Sequence, residues 1–367
     1  MSRRESTTDA QQKYDLKQKT QRVKDEMVSI RTKIETILQG MAHNCPAADN
    51  DGSKPATRAR VRRSLKGHFN KVVSVSWYSD SSSLLTAGQD GNAITWDTRT
   101  GFRKCVTLRS AWSMFAEQNK CGSGAFCSGG LDNMLSLYEG GKCKGEFGGH
   151  DGYISGARFL DDDTLLTSSG DGTLGIFKVA NLSSKADDMR FAVFRGHDKD
   201  VNGLDLHPTK PGEFISCSSD GSVMLWNVSS SKPHGALRQP GFSAADGGDV
   251  NGCKYQANGF GVGLATESRG AFLYDVRAKG PVNTFSGESE AKKAIRLNKC
   301  CFSASGRLLF VASAAFGVDV WDTLDSSSKP AKTIAAFTNE AVDVSLSPCG
   351  NGVAACSYDN DVAIIAA

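Results

Sequence analysis

The sequence lacks the long hydrophobic runs that membrane-spanning helices need. No apolar run approaches the ~20 residues required to cross a bilayer, and the first residues, MSRRESTTDAQQKYDLKQK, contain no apolar core of the signal-peptide kind. Proline is also scarce, with 9 residues against 39 glycines. Glycines between short apolar runs are typical of tight turns, so this composition predicts many short β-strands. We therefore expect a chain that is neither secreted nor membrane-spanning.

The sequence also lacks the motifs of metal, nucleotide and lipid sites. Its 11 cysteines form no C-x-x-C pair and no His/Cys cluster at zinc spacing, so we expect reduced, cytosolic thiols. No P-loop occurs, and the GFGVG segment at Gly259 lacks the G-x-G-x-x-G spacing. The chain ends in AIIAA rather than a Cys-a-a-X motif, so a lipid anchor is expected on a partner. These absences predict a non-enzymatic protein without metal or cofactor.

Charge is distributed unevenly along the chain. Residues 1–66 contain 15 Lys/Arg and 8 Asp/Glu, whereas the remainder contains 28 and 32. A net charge of +3 is too small to indicate nucleic-acid binding. The basic N-terminal region indicates either an anionic surface or acidic partner nearby, or simply a solvated helix face.

Residues 1–44 are predicted to form an N-terminal coiled-coil helix. Between residues 10 and 41 there is no proline and no glycine before Gly40, and apolar residues recur in a heptad a/d pattern. The a/d positions are Leu16, Thr20, Val23, Met27, Ile30, Ile34, Ile37 and Met41. This narrow stripe of a/d residues favours pairing with a helix of a partner. The alternative is that the helix packs against the rest of its own chain. Residues 45–60, with two prolines and few apolar residues, are predicted to be a linker.

Residues 61–367 repeat. Gly-His pairs at Gly67, Gly149 and Gly196 each precede a predicted strand, and seven strands end at residues spaced by 39 to 49 positions. Those ends are Trp96, Tyr138, Phe177, Trp226, Tyr274, Trp321 and Ile365. Period and motifs match the WD40 repeat, which forms one four-stranded blade per unit. The fold class is therefore all-β, a seven-bladed WD40 β-propeller, and residues 61–66 are placed to supply the closing strand of the last blade.

Three units contain His, a hydroxyl residue, Asp and an aromatic residue in the same register. The sets are His68, Thr86, Asp90 and Trp96; His150, Thr167, Asp171 and Phe177; and His197, Ser216, Asp220 and Trp226. A Ser/His/Asp set could suggest a hydrolase. Threefold repetition in register instead favours buried structural tetrads, in which Asp binds His, His binds the hydroxyl, and the hydroxyl binds the indole N–H. Phe177 removes the last link in its unit. Units 5 and 6 carry Arg269 and Ala315 at the Asp position, so apolar packing must dominate there.

Five segments are more specific than a WD40 pattern. They are TRARVRRSLKGH, TLRSAWSM, CSGGLDN, GGHDGYISGARFLDDDTLLTSSGDGT and CFSASGRLLF followed by VDVWDTL. In order and spacing they resemble the heterotrimeric G-protein β subunit, from the N-terminal helix to at least residue 325.

This resemblance implies a signal transducer. Its N-terminal helix would pair with a γ subunit through Leu16, Val23, Met27, Ile30, Ile34 and Ile37, and the γ subunit would hold it at the inner face of the plasma membrane. One face of the propeller would bind the GDP-bound α subunit and, after its release, effectors; receptors are further implied partners. The residues carried over to that face are Lys71, Trp112, Met114, Leu131, Tyr153, Asp200 and Asp249. An apolar centre ringed by charge suits protein binding.

Several positions depart from the family pattern. Val73 replaces an aromatic residue, Asn202 an apolar residue, Ser268 an acidic residue and Tyr358 a tryptophan, while Ala314-Ala315 replaces an acidic pair. We therefore expect altered effectors on the side formed by units 5 to 7. The alternative function is a WD40 scaffold subunit of a cytoskeletal or ciliary assembly.

Overall fold

The computed structural model describes residues 59–109, 111–119, 124–179, 190–238, 248–278, 280–285, 295–325 and 329–366. The predicted coiled-coil helix, with Leu16, Val23, Met27, Ile30, Ile34 and Ile37, and nearly all of the predicted linker lie outside these residues. Within them, no helix is long and apolar enough to cross a membrane.

The described chain folds into 28 β-strands. The first fourteen are β1 (Arg60–Lys66), β2 (Val72–Trp77), β3 (Ser83–Gly88), β4 (Asn92–Asp97), β5 (Arg103–Leu108), β6 (Ser113–Gln118), β7 (Phe126–Gly130), β8 (Leu135–Glu139), β9 (Lys142–Phe147), β10 (Ile154–Asp161), β11 (Thr164–Ser169), β12 (Thr173–Lys178), β13 (Arg190–Arg195) and β14 (Val201–Leu206). The others are β15 (Glu213–Ser218), β16 (Ser222–Asn227), β17 (Ser230–Arg238), β18 (Val250–Tyr255), β19 (Gly261–Thr266), β20 (Ala271–Asp275), β21 (Pro281–Phe285), β22 (Leu297–Phe302), β23 (Leu308–Ser313), β24 (Gly317–Asp322), β25 (Lys332–Ala335), β26 (Ala341–Leu346), β27 (Val353–Ser357) and β28 (Asp361–Ala366).

These strands form seven antiparallel four-stranded sheets, which we call blades 1 to 7. Blade 1 contains β2 to β5, and each following blade takes the next four strands up to β25; blade 7 has the order β1-β28-β27-β26. The inner strands β2, β6, β10, β14, β18, β22 and β26 contact one another in sequence, and β26 returns to β2. The predicted seven-bladed β-propeller is therefore confirmed.

Burial falls from the inner strands to the outer ones. β2 (VVSVSW) and β3 (SLLTAG) are buried on both faces, whereas β5 (RKCVTL) exposes five of its six residues. Because each blade packs between two neighbours, its inner strands need apolar or small residues on both faces. The largest fully buried side chains are Trp96, Trp226 and Trp321, so the aromatic residues that mark the repeats lie in the core.

The ring is closed by strands from the two ends of the described chain. β1 pairs with β28, with Leu65 opposite Val362, and Leu65 is buried. The closing strand predicted at residues 61–66 lies within β1, which begins one residue earlier. On the inner side, Val75 N donates a hydrogen bond to Asp343 Oδ2 (2.9 Å).

Blade 1 contains a complete hydrogen-bonded tetrad. His68 Nδ1 lies 3.0 Å from Asp90 Oδ2, and His68 Nε2 lies 2.8 Å from Thr86 Oγ1. Trp96 Nε1 donates to the same hydroxyl at 2.9 Å. Blade 4 repeats this chain with His197, Ser216, Asp220 and Trp226, at 2.9, 2.6 and 2.8 Å. The polar groups can be buried because each has a partner.

Blades 2 and 3 provide different hydrogen-bond partners for their buried polar groups. In blade 3, His150 binds Asp171 and Thr167, but Phe177 offers no N–H, and the Thr167 hydroxyl donates to the carbonyl of Gly175 (3.1 Å). In blade 2, Arg109 takes the place of the histidine: its Nη2 donates to both carboxylate oxygens of Asp132, at 2.6 and 2.8 Å. A search for Gly-His pairs cannot find this substitution.

Blade 6 keeps the tryptophan without its acceptor. Trp321 is buried, and its Nε1 has no hydrogen-bond partner. Val311 pairs with Asp319 as Thr86 pairs with Ile94, so an apolar residue stands at the hydroxyl position. An indole N–H buried without a partner reduces stability.

A chain of polar side chains crosses the inner strands of blades 1 to 5. Ser76 Oγ donates to Glu117, Arg158 pairs with Glu117 and Asp205, and Lys254 Nζ donates to Asp205 at 2.6 Å. Burial raises the pKa of Asp205, but the cations of Lys254 and Arg158 outweigh it, so the pKa is lowered. The sequence analysis missed this chain, because its members lie about 40 to 50 residues apart.

Replacing Trp96 with Phe should cost more stability than replacing Trp321 with Phe. Both changes shrink a buried indole, but only Trp96→Phe breaks a hydrogen bond. Its free energy of unfolding should fall by about 1 kcal/mol more. Urea unfolding of the two variants measures the difference, and Trp226→Phe should behave like Trp96→Phe. An equal loss of unfolding free energy in Trp96→Phe and Trp321→Phe would contradict a stabilising contribution from the tetrad hydrogen bond.

The tetrads should make the fold sensitive to acid. Burial raises the pKa of Asp90, Asp171 and Asp220, but hydrogen bonds from the histidines and nearby groups outweigh it, so each pKa lies below its ordinary value. The stability they contribute is present above the unfolded pKa of about 3.9 and is lost as pH falls below it. Thermal unfolding midpoints between pH 7 and pH 3 measure this loss.

Asp90→Asn is the comparison for that measurement. The variant should be less stable than wild type at pH 7 and should lose less on acidification, because one of the three carboxylates is gone. If acidification lowers the thermal unfolding midpoint equally in wild type and in Asp90→Asn, Asp90 is not a source of the acid sensitivity.

Candidate functional site

One backbone hydrogen bond recurs in all seven blades. The carbonyl of the residue directly before each inner strand accepts from the N–H of the residue directly after the second strand, over 2.8 to 3.4 Å. The acceptors are Lys71, Trp112, Tyr153, Asp200, Asp249, Arg296 and Glu340, and the matching donors are Gln89, Leu131, Gly170, Ser219, Glu267, Ala314 and Tyr358. All inner strands begin at the same end of the ring, so these positions share one surface, which we call the strand-start face.

Six of the seven residues predicted for the binding face belong to this surface, and the seventh, Met114, follows it in β6. Lys71, Trp112, Tyr153, Asp200 and Asp249 are the acceptor residues of blades 1 to 5, Leu131 is the donor residue of blade 2, and Met114 is the second residue of β6. The fold therefore brings together side chains that lie up to 178 positions apart in the sequence.

Blade 2 supplies an exposed apolar pair on this face. Trp112 is 53% exposed and Leu131 is 50% exposed, and their backbones are joined by the hydrogen bond from Leu131 N to Trp112 O (3.4 Å). Gly130 permits this close approach, because a side chain there would overlap the Trp112 carbonyl oxygen. Met114 is half-buried beside them. Large apolar side chains held on a rigid backbone are suited to carry binding energy.

The other predicted residues add oriented charge. Tyr153 Oη donates to Asp200 Oδ2 at 3.0 Å, which fixes the carboxylate between blades 3 and 4. Burial and the negative charge of Asp200 raise the pKa of Tyr153 to about 12, so the phenol remains a donor. On the opposite side, Lys71 Nζ lies 4.4 Å from the centre of the Tyr358 ring, a cation–π contact.

The sequence analysis missed several groups that belong to this face or lie next to it in the chain. Phe69 is 82% exposed two residues before Lys71. The sequence did contain a signal for Phe69. An aspartate, Asp151 or Asp198, follows the second and third Gly-His pairs, whereas an aromatic residue follows the first. In blades 5 and 6, Arg296 Nε pairs with Glu267 Oε2 at 3.0 Å. An isolated Arg and Glu gave no such signal in the sequence.

Two of the departures from the family pattern point inward. Asn202 Nδ2 donates to Ser219 Oγ and to the carbonyl of Val250, both at 3.0 Å, so its amide joins blades 4 and 5. Val73 is buried. These two substitutions therefore change packing and hydrogen bonds beneath the face rather than the chemical groups that the face exposes.

The strand-start face offers binding groups, and the His-hydroxyl-Asp sets lie away from solvent. The side chains of His68, His150 and His197 have no exposed surface. Among the described residues, no group of three or more His, Cys, Asp or Glu is arranged to hold a metal ion. An apolar pair flanked by an ammonium group and fixed carboxylates is suited to a protein partner of mixed charge.

Known proteins resemble the chain in its repeats and, for some relatives, along most of its length. A sequence profile described as "WD domain, G-beta repeat" matches residues 59–97, 141–178 and 190–227, which cover the units of the three His-containing sets. Guanine nucleotide-binding protein subunit beta-5b of Danio rerio is 30% identical over 316 residues, covering 83% of this chain and 75% of that protein. Subunit beta-1 of Nicotiana tabacum is 30% identical over 279 residues, 71% of each chain. Subunit beta-1 of Drosophila melanogaster is 40% identical over 156 residues, 41% of this chain and 44% of that protein.

Proposed function

Because the chain belongs to the WD40-repeat family of guanine nucleotide-binding protein β subunits, we propose that it acts as the β subunit of a heterotrimeric G protein. In this role it pairs with a γ subunit, holds the GDP-bound α subunit and passes receptor signals to effectors. It works as a scaffold and transducer, without catalysis of its own.

The observation that carries the proposal is the convergence of the predicted residues on the strand-start face. The exposed pair Trp112 and Leu131 forms an apolar centre, Lys71 lies to one side and Asp200 to the other. Such a surface supports recognition of a folded partner that presents an apolar patch flanked by both charges.

Pairing with γ is the second element of the proposal. The heptad residues Leu16, Val23, Met27, Ile30, Ile34 and Ile37 would form a coiled coil with one helix of a small partner. A lipid anchor on that partner would hold the complex at the inner face of the plasma membrane. The basic N-terminal region of this chain would supply a second attraction to the membrane, and stable anchoring takes two such signals.

Trp112→Ala should weaken binding of a GDP-loaded α subunit by at least about 2 kcal/mol, roughly thirtyfold in Kd, because it removes the largest exposed aromatic group of the face. Calorimetric titration of the purified complex measures the loss. Phe191→Ala is the matched control: Phe191 is 63% exposed, lies on outer strand β13, and should leave binding unchanged. Lys71→Ala should act mainly on the association rate.

The same titration with the α subunit in its GTP-loaded state tests the switch. We expect much weaker binding, because the nucleotide reshapes the partner's surface. Equal affinity for both nucleotide states, or no loss on Trp112→Ala, would refute the signalling function and favour the scaffold of a cytoskeletal or ciliary assembly.

Replacing Ile30 and Ile34 together with Asp should abolish γ pairing. The change places two unpaired charges in an apolar seam, at several kcal/mol each. Co-purification of a small helical partner from native cells measures the pairing, and Lys17→Ala with Lys24→Ala, outside the a/d positions, is the control. The propeller should keep its thermal unfolding midpoint in both variants. A double Asp variant that retains its partner would contradict the coiled coil.

A further inference from the structure

Three reactive groups meet at Gly203, the third residue of β14. A methyl group placed on Gly203 would lie 2.9 Å from Lys299 Nζ and 3.5 Å from Cys217 Sγ. Cys253 Sγ lies 4.0 Å from the Gly203 carbonyl oxygen. The absence of a side chain at Gly203 therefore leaves the space that an ammonium group and two thiols share.

The two thiols come from neighbouring blades. Cys217 pairs with Gly203 in blade 4, and Cys253 lies on the inner strand of blade 5. Both are buried in the same apolar cluster between the blades, and both place their sulfur beside Gly203. Residues 36 positions apart in the sequence thus place their sulfurs beside the same glycine.

Lys299 reaches this point from blade 6. Its side chain passes over Gly252, where an added methyl group would lie 3.3 Å from Lys299 Cδ, and its Nζ donates to the carbonyl of Asn202 at 2.6 Å. Glycines in blades 4 and 5 therefore give an ammonium group from blade 6 access to the thiols.

The electrostatics distinguish the two sulfurs. Burial raises the pKa of Cys217, but the hydrogen bond from Cys253 and the charge of Lys299 outweigh it, so its pKa is lowered. The pKa of Cys253 is raised well above its ordinary value by that hydrogen bond and by burial. Cys217 is the sulfur that ionises first, and the thiolate is the nucleophilic form.

We propose that Cys217 and Cys253 form an oxidisable dithiol site, with Lys299 as its positioning residue, which hydroperoxides convert to a disulfide between blades 4 and 5. The site is separate from the strand-start face, and its chemistry does not depend on the proposed signalling function.

The reaction balances with one hydroperoxide as the oxidant. The Cys217 thiolate attacks one peroxide oxygen, the O–O bond breaks, and the leaving hydroxide takes a proton to become water. The product is a sulfenic acid at Cys217. The Cys253 sulfur then attacks the Cys217 sulfur, the S–O bond breaks, and a second water leaves. Two thiols lose two electrons, and hydrogen peroxide is reduced to two waters.

The test treats the full-length protein with hydrogen peroxide, blocks remaining thiols with N-ethylmaleimide and maps peptides without reduction. We expect a peptide that joins Cys217 to Cys253 and disappears on reduction. In Cys253→Ser the sulfenic acid at Cys217 should persist and react with dimedone. Cys356→Ser, at a buried cysteine of blade 7, is the matched control and should form the 217–253 link as wild type does.

Lys299 is tested by rate and pH rather than by loss of the link alone. Lys299→Met should slow the oxidation of Cys217 at pH 7 several-fold, because the thiolate loses a neighbouring cation, and should move the pH midpoint of the rate upward. Lys299→Arg keeps the charge and should restore most of the rate. A merely structural role would change the unfolding temperature without shifting this midpoint.

Two results would overturn the proposal. One is oxidation of exposed Cys105, Cys143 and Cys349 in a folded protein while Cys217 stays reduced. The other is a link from Cys217 to Cys300 in place of Cys253. Because the assay contains no α or γ subunit, neither result bears on the proposed signalling function.

Discussion

The pairing of β1 with β28 is the interaction on which the rest of the structure depends. Each blade buries both of its faces against neighbours, so a ring that stays open exposes the flank of blade 1, the flank of blade 7 and the unpaired edge of β28. Closure joins residues about 300 positions apart, with Lys66 opposite Asp361. The entropy cost of closing so long a loop grows only slowly with its length. Burial of the apolar surface of Leu65 and its neighbours contributes its full stabilising free energy.

Within that ring, the blades differ in how they provide hydrogen-bond partners for their buried polar groups. Blades 1 and 4 do this with a complete tetrad, blade 3 diverts its hydroxyl to the Gly175 carbonyl, and blade 2 uses Arg109 in place of histidine. Blade 6 keeps a buried indole without an acceptor and is held by apolar packing. The blades therefore share a shape while differing in what stabilises them, so one polar substitution has different costs in different blades.

The same repetition builds the candidate binding face. Because one backbone hydrogen bond recurs at the start of every inner strand, seven equivalent positions point to one end of the ring, and each blade is free to place a different side chain there. Blades 1 to 4 carry an apolar and charged set suited to a protein partner, and blades 5 to 7 carry Asp249, Arg296 and Glu340. Partner choice can thus change through substitutions at this end of the ring, because these positions precede the inner strands that form the buried core.

The sequence alone determined the repeat, the number of blades and the register of the tetrads, since periodic burial forces the same residue types to recur at fixed spacing. The resemblance in segments such as TLRSAWSM named the family and seven face residues, and the structure places six of them on the strand-start face and Met114 next to it in β6. The heptad helix is a sequence prediction outside the described residues. Only the tertiary structure decided which side chains meet: Arg109 with Asp132 in blade 2 and, across blades, the chain from Ser76 to Lys254 and Lys299 with Cys217 and Cys253. These contacts join residues 23 to 82 positions apart, and ring geometry rather than local pattern brings them together.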